Sequence, residues 1–235
     1  VTWGDGSPDT TVNLAANVLT FTASHQYLDN KPGNAAYTIS ATVTDKDSAS
    51  SSGSTTVTVN NVAPAVNAGD DATINEGGAF SSSGSFTDPG ADTWTATVDY
   101  GDGSGVQNLT LTGKTFNLSH VYADNGSYTV TVAVKDDDNA VGTDTAVVTV
   151  NNVAPTVNAG NDATINEGGA FSSSGAFTDP GADTWTATVD YGDGSGVQNL
   201  TLTGKIFNLS HVYADNGTYT VTVTVKDDDN GVGTD

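Results

Sequence analysis

The sequence predicts an all-β chain of tandem β-sandwiches in a linear array, and three observations carry that reading. A domain-length segment is written twice, apolar residues alternate with period two, and Gly-Asp, Asp-Gly, Asn-Gly and Pro-Gly pairs punctuate the runs. Val62–Asp144 lines up with Val153–Asp235 at an offset of 91 residues (153 − 62), with seven differences in 83 positions. These are Ala65/Thr156, Asp70/Asn161, Ser85/Ala176, Thr115/Ile206, Ser127/Thr218, Ala133/Thr224 and Ala140/Gly231. A period this long is a whole domain, beyond the roughly 20–50-residue unit of a solenoid. Residues 60–150 read as a complete domain and 151–235 as a copy lacking its last strand. Residues 1–59 read as a divergent copy lacking its first strands, so the chain reads as a window cut from a longer array.

Each strand follows from its own alternation. In Trp94–Tyr100, Trp94, Ala96, Val98 and Tyr100 share one face and Thr93, Thr95, Thr97 and Asp99 the other. In Tyr128–Lys135, Tyr128, Val130, Val132 and Val134 alternate with Thr129, Thr131, Ala133 and Lys135. Ala146, Val148 and Val150, then Val66 and Ala68, continue the pattern. Five of the seven differences fall where alternation predicts an outward side chain, and the other two in predicted turns. About seven short strands per repeat, with no competing helix signal, predict an immunoglobulin-like β-sandwich.

Composition narrows the setting. The chain has no Cys or Met, 28 acidic residues against six basic ones, and a net charge of −22. Without cysteines each domain rests on its own apolar core, for which its length suffices. An acidic surface repels nucleic acid and anionic membranes and attracts divalent cations.

Four motifs recur in order: Gly101-Asp102-Gly103, His120-Val-Tyr122, Gly126-Ser-Tyr128-Thr-Val130-Thr-Val132 and Asp136–Asp138. The serine-rich run Ser81–Asp92 precedes them, and the first copy repeats the later part with Gly4-Asp5-Gly6, His25-Gln-Tyr27 and Tyr37–Asp47. Together they resemble the polycystic kidney disease (PKD) domain family, over the second and third copies and the retained part of the first. Two departures from that pattern are Val98-Asp99-Tyr100 where the family has W-D-F, and Gly90 in place of the middle Asp of a D-P-D-G-D loop. The resemblance implies an immunoglobulin-type strand opened by Tyr128 as a tyrosine corner, its hydroxyl bonded to upstream backbone. Some members of the family hold calcium near the interdomain linker, which implies a metal site here too.

The acidic loops are where such chemistry lies. In a sandwich of this topology the linker and two loops share one end, gathering Asn61, Asp88, Asp92, Asp136 and Asp138. In the next copy the set is Asn152, Asp179, Asp183, Asp227 and Asp229. Hard oxygen ligands from three segments suit Ca2+, which takes six to eight oxygens at about 2.3–2.6 Å, and extracellular modules bind it with Kd of about 0.1–1 mM. Without a counter-ion the crowding costs several kcal/mol. Lys46 replaces the middle residue of the Asp run in the first copy, which predicts that Asp136 and Asp138 face the site and Asp137 faces water. The plain alternative is that these are solvated Asx-turns.

Other motifs read structurally. The run beginning at Asp136 lacks the sixth-position Gly and terminal Glu of an EF-hand. GDGSG reads as a hairpin turn with Gly at positive φ. His120 reads as a packing histidine, with Ser119 and Ser210 pointing away from their neighbouring histidines and so unable to form a nucleophile pair. Glu76 falls in a turn at the far end of the domain, where it could add a ligand across the joint, although a capped turn is the simpler reading. Asn108, Asn117 and Asn125 head glycosylation sequons that matter only in a eukaryotic secretory setting.

The function expected is a non-catalytic extracellular repeat array: a calcium-stiffened stalk, fibre or adhesin segment at a bacterial cell surface. The joint containing Ala154-Pro155 is short, and Pro limits its bending. Its expected partners are neighbouring repeats, with identical chains pairing by strand edges, extracellular matrix or polysaccharide as further candidates. Neither nucleic acid nor direct membrane insertion is expected. The alternative is an accessory polysaccharide- or protein-binding module of a secreted hydrolase. That reading needs exposed aromatic residues, and Tyr122 is the one whose side is in doubt.

Overall fold

The computed structural model describes residues 1–235. Alternation of inward valines with outward threonines produces strands throughout, and 3-10 geometry is confined to Pro32–Asn34. The first unit carries β1 (Tyr37–Thr44) and β2 (Ser50–Val57), an antiparallel pair. The middle unit carries β3 (Ala65–Asn67), β4 (Ala72–Asn75), β5 (Ala79–Thr87), β6 (Trp94–Asp99), β7 (Gln107–Leu109), β8 (Leu111–Thr112), β9 (Thr115–Val121), β10 (Gly126–Asp136) and β11 (Val141–Asn151). The third carries β12 (Thr156–Asn158), β13 (Ala170–Thr178), β14 (Trp185–Asp190), β15 (Gln198–Leu200), β16 (Leu202–Thr203), β17 (Ile206–Val212), β18 (Thr222–Asp227) and β19 (Val232–Thr234).

The middle unit is a two-sheet immunoglobulin-like sandwich, with orders β4-β11-β10-β6-β7 and β3-β5-β9-β8. Its inward residues, including Phe80, Phe86, Phe116, Leu118, Val130, Val132 and Val148, form one cluster of 15 buried side chains. The third sandwich repeats it as β15-β14-β18-β19 against β12-β13-β17-β16, with 10. None of the seven interchanged positions is buried in either copy, so the two cores are built from the same residue types.

The middle unit has two pairings that the third does not repeat. β4 pairs in parallel with Val148–Asn151 of β11, and the first half of β10 pairs with its neighbours Thr145–Val150. In the third unit the counterparts of β4 and of the start of β10, Ala163–Asn166 and Tyr219–Val221, lie outside the strands.

A ladder of rings runs through all three units. Tyr100, His120, Tyr122 and Tyr128 follow one another, with Tyr100–His120 stacked at 4.2 Å between centroids, His120–Tyr122 edge to face at 4.8 Å and Tyr122–Tyr128 stacked at 4.4 Å. Tyr191, His211, Tyr213 and Tyr219 repeat it, as do Trp3, His25, Tyr27 and Tyr37. His120 Nε2 lies 2.6 Å from Asp102 Oδ2, pinning the GDG turn, in which Gly101 and Gly103 have φ of 77° and 84°. The Tyr128 hydroxyl donates to the carbonyl of Asp124 at 3.0 Å, the tyrosine-corner bond. Tyr122 is fully buried and donates to the carbonyl of Tyr100, so its place is the core.

Candidate metal centre

β11 runs into the linker Asn152–Pro155, and β4 lies parallel beside its last residues. That pairing delivers the turn after β4 to the joint. The N–H of Glu76 donates to the carbonyl of Asn151 at 3.0 Å, and its Oε1 accepts the N–H of Val153 at 2.6 Å. Asp124 arrives at the same end on the connection between β9 and β10. From the other side come the β13–β14 loop, Asp179-Pro180-Gly181-Ala182-Asp183, and the β18–β19 turn, Asp227–Asn230. Backbone closes the joint, since the N–H of Ala182 donates to the carbonyl of Ala123 at 2.9 Å. Ala91 and Leu28 make the same bond at 2.9 Å in the first joint.

The sequence-predicted residues divide into two groups. Asn61, Asp88 and Asp136 build the loop framework. Asp88 accepts the indole N–H of Trp94 at 3.0 Å and the N–H of Gly90, while its carbonyl accepts from the Lys114 ammonium. Asp136 accepts the side-chain amide of Asn61 at 2.9 Å and the N–H of Ala140 at 2.7 Å. Asp179, Asp227 and Asn152 repeat these bonds. Asp137 is exposed as expected, but its Oδ1 also accepts the N–H of Thr93 at 3.2 Å, so it ties two loops together.

Asp92 and Asp183 are different. They are only 6% and 7% exposed, and neither oxygen of either carboxylate has a hydrogen-bond partner. Asp183 meets Asp124 and Asp229 with all three ligand oxygens within 4.8 Å of one another, and meets Glu76 and Asp179 in a second such trio. Asp92 meets Asp138 and Asp29 in the same way. Oxygens that close can share one cation, since calcium holds its ligands at about 2.3–2.6 Å. Burial, then the charges of Glu76 and Asp179, push the Asp183 carboxyl up to about 7. Burial, then the charge of Asp88, push Asp92 up to about 6. Burial also raises Glu76, against the bond from Val153. Buried carboxylates in like-charged company favour a proton or a cation.

Glu76 is 2% exposed with Oε2 unpartnered, whereas Glu167, in the same turn of the third unit, is exposed. Asp29 and Asp124 were missed by the sequence reading. The signal was there: both stand two residues after the tyrosine of the H-x-Y motif, in the divergent copy as in the faithful one.

Phe21 apart, no aromatic residue in the chain is exposed. No helix is long and apolar enough to cross a membrane.

A family model described as PKD domain matches residues 61–150 and 152–235. No curated protein matches the chain. Similar solved structures include titin domains z1z2 in complex with telethonin, at 14% identity and TM-score 0.40, covering 75% of this chain and 95% of that one. A three-immunoglobulin fragment of titin, an E-to-A variant, is 10% identical with TM-score 0.45, covering 87% of this chain and 73% of that one. The two immunoglobulin domains of DIP-gamma are 12% identical with TM-score 0.33, covering 74% and 95%.

Proposed function

This chain belongs to the PKD domain family, and from that premise we propose that it is a non-catalytic segment of an extracellular stalk, fibre or adhesin whose joints are stiffened by calcium. One observation carries the reading: Asp92 and Asp183 are buried at successive joints with no hydrogen bond to either carboxylate oxygen. An ionised carboxylate taken out of water without a partner costs several kcal/mol, and a bound cation reverses the sign. The family supports an extracellular setting, and the net charge of −22 favours cations over anionic partners.

Calcium neutralises the loops that meet the linker and holds them to it, so that each sandwich keeps a set orientation to the next. The role is then spacing and reach. The accessory binding-module reading lacks support, since the buried rings leave no aromatic row for stacking on sugar.

The test is the melting temperature and the scattering-derived maximum dimension of the chain, in EDTA and in about 2 mM calcium, above the weak extracellular range. Calcium should raise the first and narrow the spread of the second. Identical curves in both conditions would remove the calcium from this reading and leave a plain spacer.

A further inference from the structure

We propose that the cation at each joint is held by both sandwiches at once, with Asp29 and Asp124 of the upstream unit as ligands and Glu76 as an additional one in the second joint. This rests on the calcium reading above and goes beyond it, because the ligands then come from two domains rather than from the loops and linker of one.

The geometry is repeated. In the second joint, Asp124 comes from the middle sandwich and Asp183 and Asp229 from the third, with their oxygens within 4.8 Å. In the first joint, Asp29 comes from the first unit, and Asp92 and Asp138 from the middle sandwich. Asp92 and Asp183 are the residues whose oxygens are all unpartnered, so an unsatisfied buried group points into each trio. The first unit is the divergent copy, yet it places an Asp at this point.

The second joint adds a further trio. Glu76 Oε1 is committed to the Val153 N–H, which orients the carboxylate and leaves buried Oε2 free beside Asp179 and Asp183. Asp183 belongs to both trios, and its two free oxygens let it serve both together. The trio of Asp124, Asp183 and Asp229 in the second joint has its counterpart in Asp29, Asp92 and Asp138 of the first. All donors are carboxylate oxygens, which select a hard divalent cation, and a shell drawn from several separate segments suits the adaptable coordination of calcium better than the stricter octahedron of magnesium.

Bridging has a mechanical consequence. A cation bound within one sandwich stiffens its loops, whereas a bridging one fixes the angle between neighbours, and its removal frees that angle.

The test is calorimetric titration of calcium into the whole chain, comparing wild type with Asp29→Asn, Asp124→Asn, Glu76→Gln and Asp183→Asn. Urea unfolding in EDTA establishes that each variant is folded. Asp124→Asn and Glu76→Gln should each weaken the second-joint heat at least about tenfold and leave the first joint intact. Asp29→Asn should do the reverse. If Asp183→Asn abolishes second-joint binding while folded Asp124→Asn, Glu76→Gln and Asp29→Asn titrate like wild type, the site lies within one sandwich. That result overturns the bridging inference and leaves the calcium reading standing. No calcium heat in the wild type would instead remove both.

Discussion

Glu76 and Asp183 belong to different β-sandwiches and still bring carboxylate oxygens within 4.8 Å of each other. Neither approach is accidental to the fold. The parallel pairing of β4 with β11 carries Glu76 to the linker, and the bond from Ala182 to the Ala123 carbonyl draws the Asp183 loop onto the same spot. Two like charges brought together by backbone geometry make the joint a place where charge state governs stability.

Replacing Asp183 by Asn should therefore act in opposite directions in two buffers. In EDTA the substitution removes an unpartnered buried carboxylate and should raise the melting temperature by several degrees. In calcium it removes a ligand and should lower it relative to wild type. Asp92→Asn should behave likewise. A change of the same sign in both buffers would show that the carboxylate's effect is independent of the cation.

The metal-free chain should gain stability on mild acidification. The folded-state Asp183 carboxyl is raised from 3.8 to about 7 and Asp92 from 3.8 to about 6, so the folded state holds protons that the unfolded state has released. Stability then falls as pH rises from about 4 to about 7. Urea midpoints in EDTA at pH 5 and 7.5 measure this, with the higher value expected at pH 5. Saturating calcium should abolish the trend.

Gly181→Ala tests geometry without removing a charge. A Cβ at this position would overlap Asp183 Oδ2 and stand 2.8 Å from Glu76 Cδ. The two carboxylates must then part, and calcium affinity at the second joint should drop with every acidic residue intact. The same crowding explains why Gly90 interrupts the acidic loop of the middle sandwich: a side chain there would meet the carboxylate of Asp92. Wild-type affinity in folded Gly181→Ala would count against close approach.

A separate acid transition belongs to the GDG turn. The Ser104 hydroxyl, with help from the Ser104 N–H and His120, lowers the Asp102 carboxyl from 3.8 to about 2. Because its folded value is depressed, Asp102 contributes stability that is present above about pH 4 and lost as pH falls through about 2. Asp102→Asn should be less stable than wild type at pH 6, and the gap should close towards pH 2. A gap that stays constant across that range would assign the effect to packing alone.

The ring ladder gives a graded packing test. Tyr122→Phe leaves the buried Tyr100 carbonyl without its donor and should cost about 1–3 kcal/mol in urea unfolding. Tyr128→Phe removes a more exposed bond to Asp124 and should cost less, about 0.5–1.5 kcal/mol.

How far the sequence reached depends on the range of the interaction. Alternation in Trp94–Tyr100 and Tyr128–Lys135 located β6 and β10 and their buried faces, because a strand's side-chain period is local. The Asp88, Asp136 and Asn61 loops were placed at one end of the sandwich by their spacing around those strands, and Asn61 does donate to Asp136. Which carboxylates keep free oxygens was not legible, since Asp88 and Asp92 stand four residues apart in one loop and the Trp94 indole and the Gly90 N–H reach only Asp88.

The sequence by itself determined the repeat, the strands, the inward faces and the acidic end of each domain. All of these follow from short-range periodicity and turn chemistry. Only the tertiary structure decided that Asp29, Asp124 and Glu76 belong to that acidic end, across the joint. Their approach depends on strand pairing and on one sandwich docking against the next.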